Sequence, residues 1–177
     1  MPDEITAVDF ERTFLPHMDA AYTLARWLVR DDHDAQDVVQ EAYLRAVRFA
    51  GGFRGCDPCA WILAIVRNTA LTWLRRNRPS DTTAEFDETT HGAAAEEGGL
   101  EADAVRKADG AMIHAALDEL TDEFREVIVM RDIEGLSYKE IADATDVPIG
   151  TVMSRLARAS SKAHATTRAA NREGALT

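Results

Sequence analysis

Cysteine is almost missing from this chain. Cys56 and Cys59 are the only two, and a structural zinc site takes about four protein ligands. No second cysteine pair exists to complete one, and His17, His33, His91, His114 and His164 are scattered without ligand spacing. No metal and no cofactor are therefore expected. Also lacking is any apolar run long enough to span a bilayer, and the N-terminus carries no signal-peptide pattern. The expectation is a cytoplasmic protein without membrane insertion. No glycine-rich phosphate loop, nucleophile elbow or pair of catalytic carboxylates stands out, so no enzymatic activity is expected. Strand-like alternation is missing too, which points to an all-α fold.

Positive charge is scarce: 20 Lys and Arg stand against 31 Asp and Glu, for a net charge of −11. Spread evenly, that excess would oppose binding to nucleic acid. Instead the charge comes in blocks. Residues 31–41 hold five acids and no base, residues 67–78 four arginines and no acid, residues 79–105 eight acids and no base, and residues 148–172 five bases and no acid. Each block is a surface suited to a different partner.

The chain length allows one domain or two small ones. Helical periodicity covers residues 10–78 and returns after residue 104 through Met112, Ile113, Ala116, Leu117 and Leu120, then Phe124, Val127, Ile128 and Met130. Between them, residues 79–103 are rich in Thr, Ala, Gly and Glu, with Phe86 and Leu100 as the large apolar residues. That composition predicts a poorly ordered acidic linker. The expected organisation is an N-terminal helical domain (1–78), the linker (79–103), a C-terminal helical domain (104–172) and a frayed tail (173–177).

Residues 136–159 read as two short helices joined by a tight turn. Ser137 and Glu140 have capping-box spacing. Pro148 cannot extend the first helix and pushes Val147 toward an extended conformation, so the first helix should end near Thr145 and the second begin near Ile149. Asp146 sits where many such turns place glycine, but Asp tolerates the left-handed region better than most residues. On a 3.6-residue wheel, Val152, Leu156, Ala159 and Ala163 share one side of the second helix; Thr151, Ser154, Arg155, Arg158 and Lys162 share the other. A basic helix after a capped helix and a turn is a helix-turn-helix, suited to the major groove of DNA.

Two N-terminal helices carry further signals. One runs from Asp34, as N-cap, to about Phe49. Val38, Ala42, Ala46 and Phe49 are its core side, and Asp37, Gln40, Glu41, Leu44 and Arg48 its outer side, with Leu44 a lone apolar residue among polar ones. The other runs from about Pro58 to Asn77, with Ile62, Val66, Ala70 and Trp73 buried. Its opposite side carries Trp61, Ile65, Asn68, Thr72, Arg75 and Arg76, a mixture of aromatic, amide, hydroxyl and guanidinium groups that suits unstacked nucleic acid. The glycine-rich loop 51–57, with Arg54 and Asp57, precedes it and can wrap an unstacked base.

Taken together, these segments resemble the extracytoplasmic-function (ECF) group of bacterial sigma factors. Residues 34–46 (DAQDVVQEAYLRA) look like the family's region 2.2. Phe53-Arg54, residues 61–70 (WILAIVRNTA) and Leu74-Arg75-Arg76 look like regions 2.3 and 2.4. Residues 117–121, Arg125, residues 134–142 (EGLSYKEIA) and residues 150–156 (GTVMSRL) look like region 4. The resemblance implies a two-domain all-α protein that binds core RNA polymerase and directs promoter recognition and melting. Asp37, Gln40, Glu41 and Leu44 would dock on the β′ clamp helices, with further contact to the β subunit. Arg54, Asp57, Trp61, Asn68, Thr72, Arg75 and Arg76 would take the −10 element as it opens. Thr151, Ser154, Arg155, Arg158 and Lys162 would read the −35 duplex. An anti-sigma factor is implied as regulator, and the acidic linker would imitate nucleic acid in the polymerase channel. A stand-alone helix-turn-helix regulator is the second reading, but the N-terminal half shows neither a ligand domain nor a dimerisation helix. Cys56 and Cys59 form a C-x-x-C pair in the base-capturing loop; it reads as two reduced thiols, with a redox pair as the alternative.

Overall fold

The computed structural model describes residues 7–77 and 110–174, so the expected linker and the last three residues lie outside the described part. Among the described residues the regular structure is helical and no strand is present. The N-terminal set is α1 (Ala7–Phe14), α2 (Met18–Val29), α3 (Asp32–Phe49) and α4 (Pro58–Asn77). The C-terminal set is α5 (110–118), α6 (Asp122–Ile128), a π-helical turn (Val129–Ile133), α7 (Tyr138–Thr145) and α8 (Ile149–Gly174). No described helix is long and apolar enough to cross a membrane.

In the N-terminal set, α2, α3 and α4 pack against one another. Leu24, Leu28, Val38, Ile62, Leu63 and Val66 are sealed from solvent between them. Two expectations for α3 need correction. Its N-cap is Asp31, not Asp34: Asp31 is extended and its carboxylate accepts from the amides of His33 and Asp34. Several acids in a row can each cap a helix, and the first one able to reach back-to-back amides did so. Phe49 is 63% exposed rather than buried. The wheel assigns it to the core side, but the helix ends there. The chain tightens into a 3-10 turn at Ala50–Gly52, and Ala50 fills the last buried place. Trp73 is only half-buried, at the edge of a small crevice between α3 and α4.

The C-terminal set follows the sequence closely. Ser137 accepts from the Glu140 amide at 3.2 Å and Glu140 accepts from the Ser137 amide at 2.7 Å, closing the capping box. Asp146 adopts φ 55°, ends α7 in the left-handed conformation, and α8 starts at Ile149. Val152 and Ala159 are fully buried, with Leu156 and Ala163 half-buried. Ile113 is the exception in α5, at 58% exposure.

The two helical sets are packed together. α7 lies against α4 and α6 against α2, and buried side chains of both sets form one continuous core. At its rim the Trp27 and His114 rings lie 4.5 Å apart. Arg30, in the left-handed conformation that ends α2, donates to the Asp118 carbonyl at 3.0 Å.

Candidate polymerase and promoter interfaces

Along α8 the polar side divides by exposure. Ser154, Arg158 and Lys162 face solvent and Thr151 is half-buried. The Ser154 hydroxyl donates to the Thr151 carbonyl at 3.1 Å, and the Lys162 ammonium lies over the Phe124 ring, 4.8 Å from its centre. Arg155 differs from the rest. Its side chain is 18% exposed, and its guanidinium lies 3.5 Å from Glu123 and 3.7 Å from Glu126.

On α4, Asn68, Arg75 and Arg76 are exposed, while Thr72 is half-buried and donates its hydroxyl to the Asn68 carbonyl at 2.9 Å. Trp61 is half-buried, with ring centres 4.8 Å from Phe14 and 5.5 Å from Phe53. Its ring is thus already packed, and an open stacking platform would need that cluster to part. In the loop, Arg54 donates to the Gly51 carbonyl at 3.3 Å. Asp57 accepts from the Ala60 amide at 2.8 Å. This carboxylate caps the start of α4, a role the sequence reading did not foresee.

Asp37, Gln40, Glu41 and Leu44 are all exposed on α3, and they form a ridge between two hollows. Asp37 and Glu41 line a crevice of about 140 Å³ shared with Thr72, Trp73 and Arg76 of α4. The Glu41 carboxyl is held below the ordinary carboxylate range by a hydrogen bond from Arg45 at 2.8 Å. Gln40 and Leu44 line the opposite hollow, a groove of about 680 Å³ with Leu15, Met18, Tyr43 and Val47. Leu44 is therefore one wall of an apolar groove, with Leu15, Met18 and Val47 also exposed. Contiguous exposed apolar surface of this kind marks a partner site.

The family profile for sigma-70 region 2 matches residues 13–79, and the profile for sigma-70 region 4 matches residues 110–162. The chain is 38% identical over 138 residues to the RNA polymerase sigma-H factor of Pseudomonas aeruginosa, covering 74% of this chain and 72% of that protein. It is 34% identical to the ECF RNA polymerase sigma factor SigE of Mycolicibacterium smegmatis, over 88% of this chain and 60% of that one. Among solved structures, the sigma factor RpoE in complex with the anti-sigma factor NepR from Bartonella quintana aligns with a TM-score of 0.74 at 26% identity, covering 90% of this chain and 97% of that chain. The chain belongs to the ECF group of RNA polymerase sigma factors. In this sigma factor the region 2 match spans α2 to α4, and the region 4 match spans α5 to the middle of α8.

Two charged residues of the sigma factor escaped the sequence reading as structural elements. Arg125 is completely buried. Its guanidinium donates to the carbonyls of Leu117, Asp118 and Leu120 at 2.6–3.0 Å and pairs with Asp122 at 3.1 Å, tying the α5–α6 turn shut. Glu126 is 2% exposed and receives a two-pronged contact from Arg67 of α4, at 2.7 and 3.2 Å. Burial pushes the Glu126 carboxyl up, against the pull of Arg67 and Arg155. Glu126 lacks a local signal because Arg67 lies 59 residues away, whereas Arg125 is met by the turn that immediately precedes it in the chain.

The two thiols of the sigma factor are free and unlike each other. Cys56 is exposed, and Cys59 is half-buried with its thiol pushed up to about 11, first by burial and then by Asp57, Glu134 and Glu140. A thiol held so high supplies little thiolate near neutrality, which favours the reduced-thiol reading over the redox pair. At pH 8 a thiol reagent is expected to modify Cys56 at least about ten times faster than Cys59. Equal rates, followed in Cys56→Ser and Cys59→Ser variants, would contradict this.

Proposed function

We propose that this sigma factor docks on core RNA polymerase through the ridge Asp37, Gln40, Glu41 and Leu44 and the groove beside it. In this reading the complex takes a −35 duplex on α8 and an opened −10 strand on α4. The observation that carries the reading is the α3 ridge. It combines an apolar anchor with carboxylates and an amide, all free of the core, as a docking site requires. A stand-alone operator-binding protein has no use for such a face.

The two DNA faces differ in kind. α8 offers Thr151, Ser154, Arg158 and Lys162 to duplex phosphates and base edges. α4 offers Asn68, Thr72, Arg75 and Arg76 to bases that are unpaired. Unstacking a base costs a few kcal/mol, offset when the extruded base finds a pocket; the loop with Arg54 and Asp57 is the proposed pocket wall. The polymerase makes the phosphodiester bonds, and no covalent step is assigned to this chain. An anti-sigma factor is proposed as regulator, as in the RpoE–NepR complex.

Transcription from a random promoter library with core enzyme, followed by sequencing of the products, tests this reading. The chain should select templates with two conserved blocks. Asn68→Ala should relax the downstream block, each lost base contact being worth about 1–3 kcal/mol. Lys162→Ala should weaken binding across all sequences and reduce the salt slope by about 1. Unselected products, or a single block recognised without polymerase, would overturn the reading.

A further inference from the structure

Met153 stands where a recognition helix meets the bases, yet it has no hydrogen bond to donate. The residues that reach base edges in a major groove are those of the helix's first turns. At that end of α8, Ile149, Gly150, Met153, Ser154, Ala157 and Arg158 are exposed. Val152 is sealed, and Thr151, Arg155 and Leu156 are partly covered. Arg155 turns toward Glu123 and Glu126, at 3.5 and 3.7 Å, and so leaves the exposed side. At 3.6 residues per turn, Ser154 and Ala157 take the middle of that side. Arg158 lies on one flank, and Ile149 and Met153 lie on the other. The second flank is apolar: Ile149 is 48% exposed and Met153 52%, one turn apart.

A single exposed methionine on an ordinary surface needs no explanation. Here the position supplies one. A lysine or arginine at 153 would reach phosphate and add affinity without sequence information. A thioether brings neither charge nor donor, so its gain comes from covering apolar surface. On the major-groove edge of a base pair that surface is the C5 methyl of thymine. The unbranched methionine chain adapts to such a target more readily than a stiff one. Its neighbour adds little competing readout. The Ser154 hydroxyl donates to the Thr151 carbonyl at 3.1 Å, which leaves its lone pairs to accept from a base. The exposed side chains of the first two turns are therefore one accepting hydroxyl and two apolar groups.

We infer that Met153, supported by Ile149, is a specificity-determining residue of the upstream contact: it reads the C5 methyl of a thymine in the major groove. The inference rests on the assignment of α8 to duplex DNA. Arg158 and Lys162 then supply charge to the backbone, and Met153 supplies discrimination that charge cannot give.

The test uses the full chain with core enzyme on a promoter recovered from the library. Each thymine of its upstream block, on either strand, is changed in turn to deoxyuridine, which lacks only the methyl. At one or more of these positions the parent should bind the uracil duplex about fourfold more weakly, the worth of one buried methyl-sized group. Both side chains are exposed, so variants at either position keep the fold. Met153→Ala should bind the two duplexes equally, closing a cycle between side chain and methyl. Met153→Leu should keep the preference. Met153→Lys should lose it while steepening the salt slope by about 1. An upstream block without any A·T pair, a parent indifferent to uracil at every position, or a Met153→Ala variant that keeps the preference would each overturn the inference. Scrambling the whole upstream block separates the two ways of failing. If scrambling changes nothing, the assignment of α8 falls and the inference with it. If scrambling abolishes binding while uracil is harmless throughout, the assignment stands and only the role of Met153 falls.

Discussion

A Leu44→Asp variant is expected to bind core RNA polymerase about 30-fold or more weakly than the parent chain, because loss of a central apolar anchor costs ~2 kcal/mol or more. The reasoning starts from the exposure of the side chain. Leu44 is 53% exposed and is not one of the buried core residues, so the fold should be intact. The helix itself tolerates the change at a few tenths of a kcal/mol, as surface positions generally do. What the substitution removes is one wall of the groove formed with Leu15, Met18, Tyr43 and Val47. It also places a charge where the partner surface has been desolvated, which adds to the cost. Val47→Asp, on the same wall, should weaken binding in the same direction. Arg48→Asp, on the outer side of α3, should have a smaller effect. Binding measured by anisotropy of a labelled chain against core enzyme checks all three. Parent-like affinity in Leu44→Asp would remove the ridge from the docking site.

The second large effect concerns Arg125. Arg125→Met removes a buried guanidinium and its donors: the carbonyls of Leu117 and Asp118 keep the Leu120 amide and Arg30, but the Leu120 carbonyl and the Asp122 carboxylate lose their bonds to Arg125. The expected loss is about 3–5 kcal/mol, the range found when one partner of a buried charged network is deleted. Urea unfolding followed by the helical signal should show the C-terminal helices melting first, while the N-terminal set keeps its own sealed core of Leu24, Leu28, Ile62 and Leu63. A loss under ~1 kcal/mol would mean that the turn is held by something else. Arg125→Lys should recover only part of the loss, since an ammonium cannot serve three carbonyls spread around a planar guanidinium.

What could be read from the sequence was whatever is decided within a few residues. The Ser137–Glu140 box and the break at Asp146 and Pro148 are local matters and appear where the spacing put them; the two-sided patterns of α4 and α8 do so in the main, with Trp73 only half-buried and Arg155 largely covered. The grouping of Asp37, Gln40, Glu41 and Leu44 was likewise legible, because it needs only the helical period. The misplacements have local causes too. Asp31 and Asp34 offer the same chemistry to one helix start, and pattern alone does not choose between them. Phe49 has the right angle on the wheel but sits where the helix stops, and a wheel has no ends.

The remaining features depend on partners distant in the chain. Arg67 meets Glu126 across 59 residues, and nothing near either position announces the pairing. Arg155 looked like one of five equivalent polar side chains on α8, yet burial beside two carboxylates sets it apart from Arg158. The groove next to Leu44 is built from α1, the Leu15–His17 turn, α2 and α3 together. No single helix carries its pattern. Packing between the two helical sets is the clearest case: each amphipathic surface was visible, but the surface it would choose was not.

The most direct trial of the account is a mobility-shift measurement on templates recovered from the promoter library, with purified chain and core enzyme added singly and together. The account predicts a specific shift, and start-site choice in run-off transcription, only when both are present. A specific shift by the chain alone, or one unaltered start pattern with and without it, would contradict the claim that this protein directs polymerase to promoters.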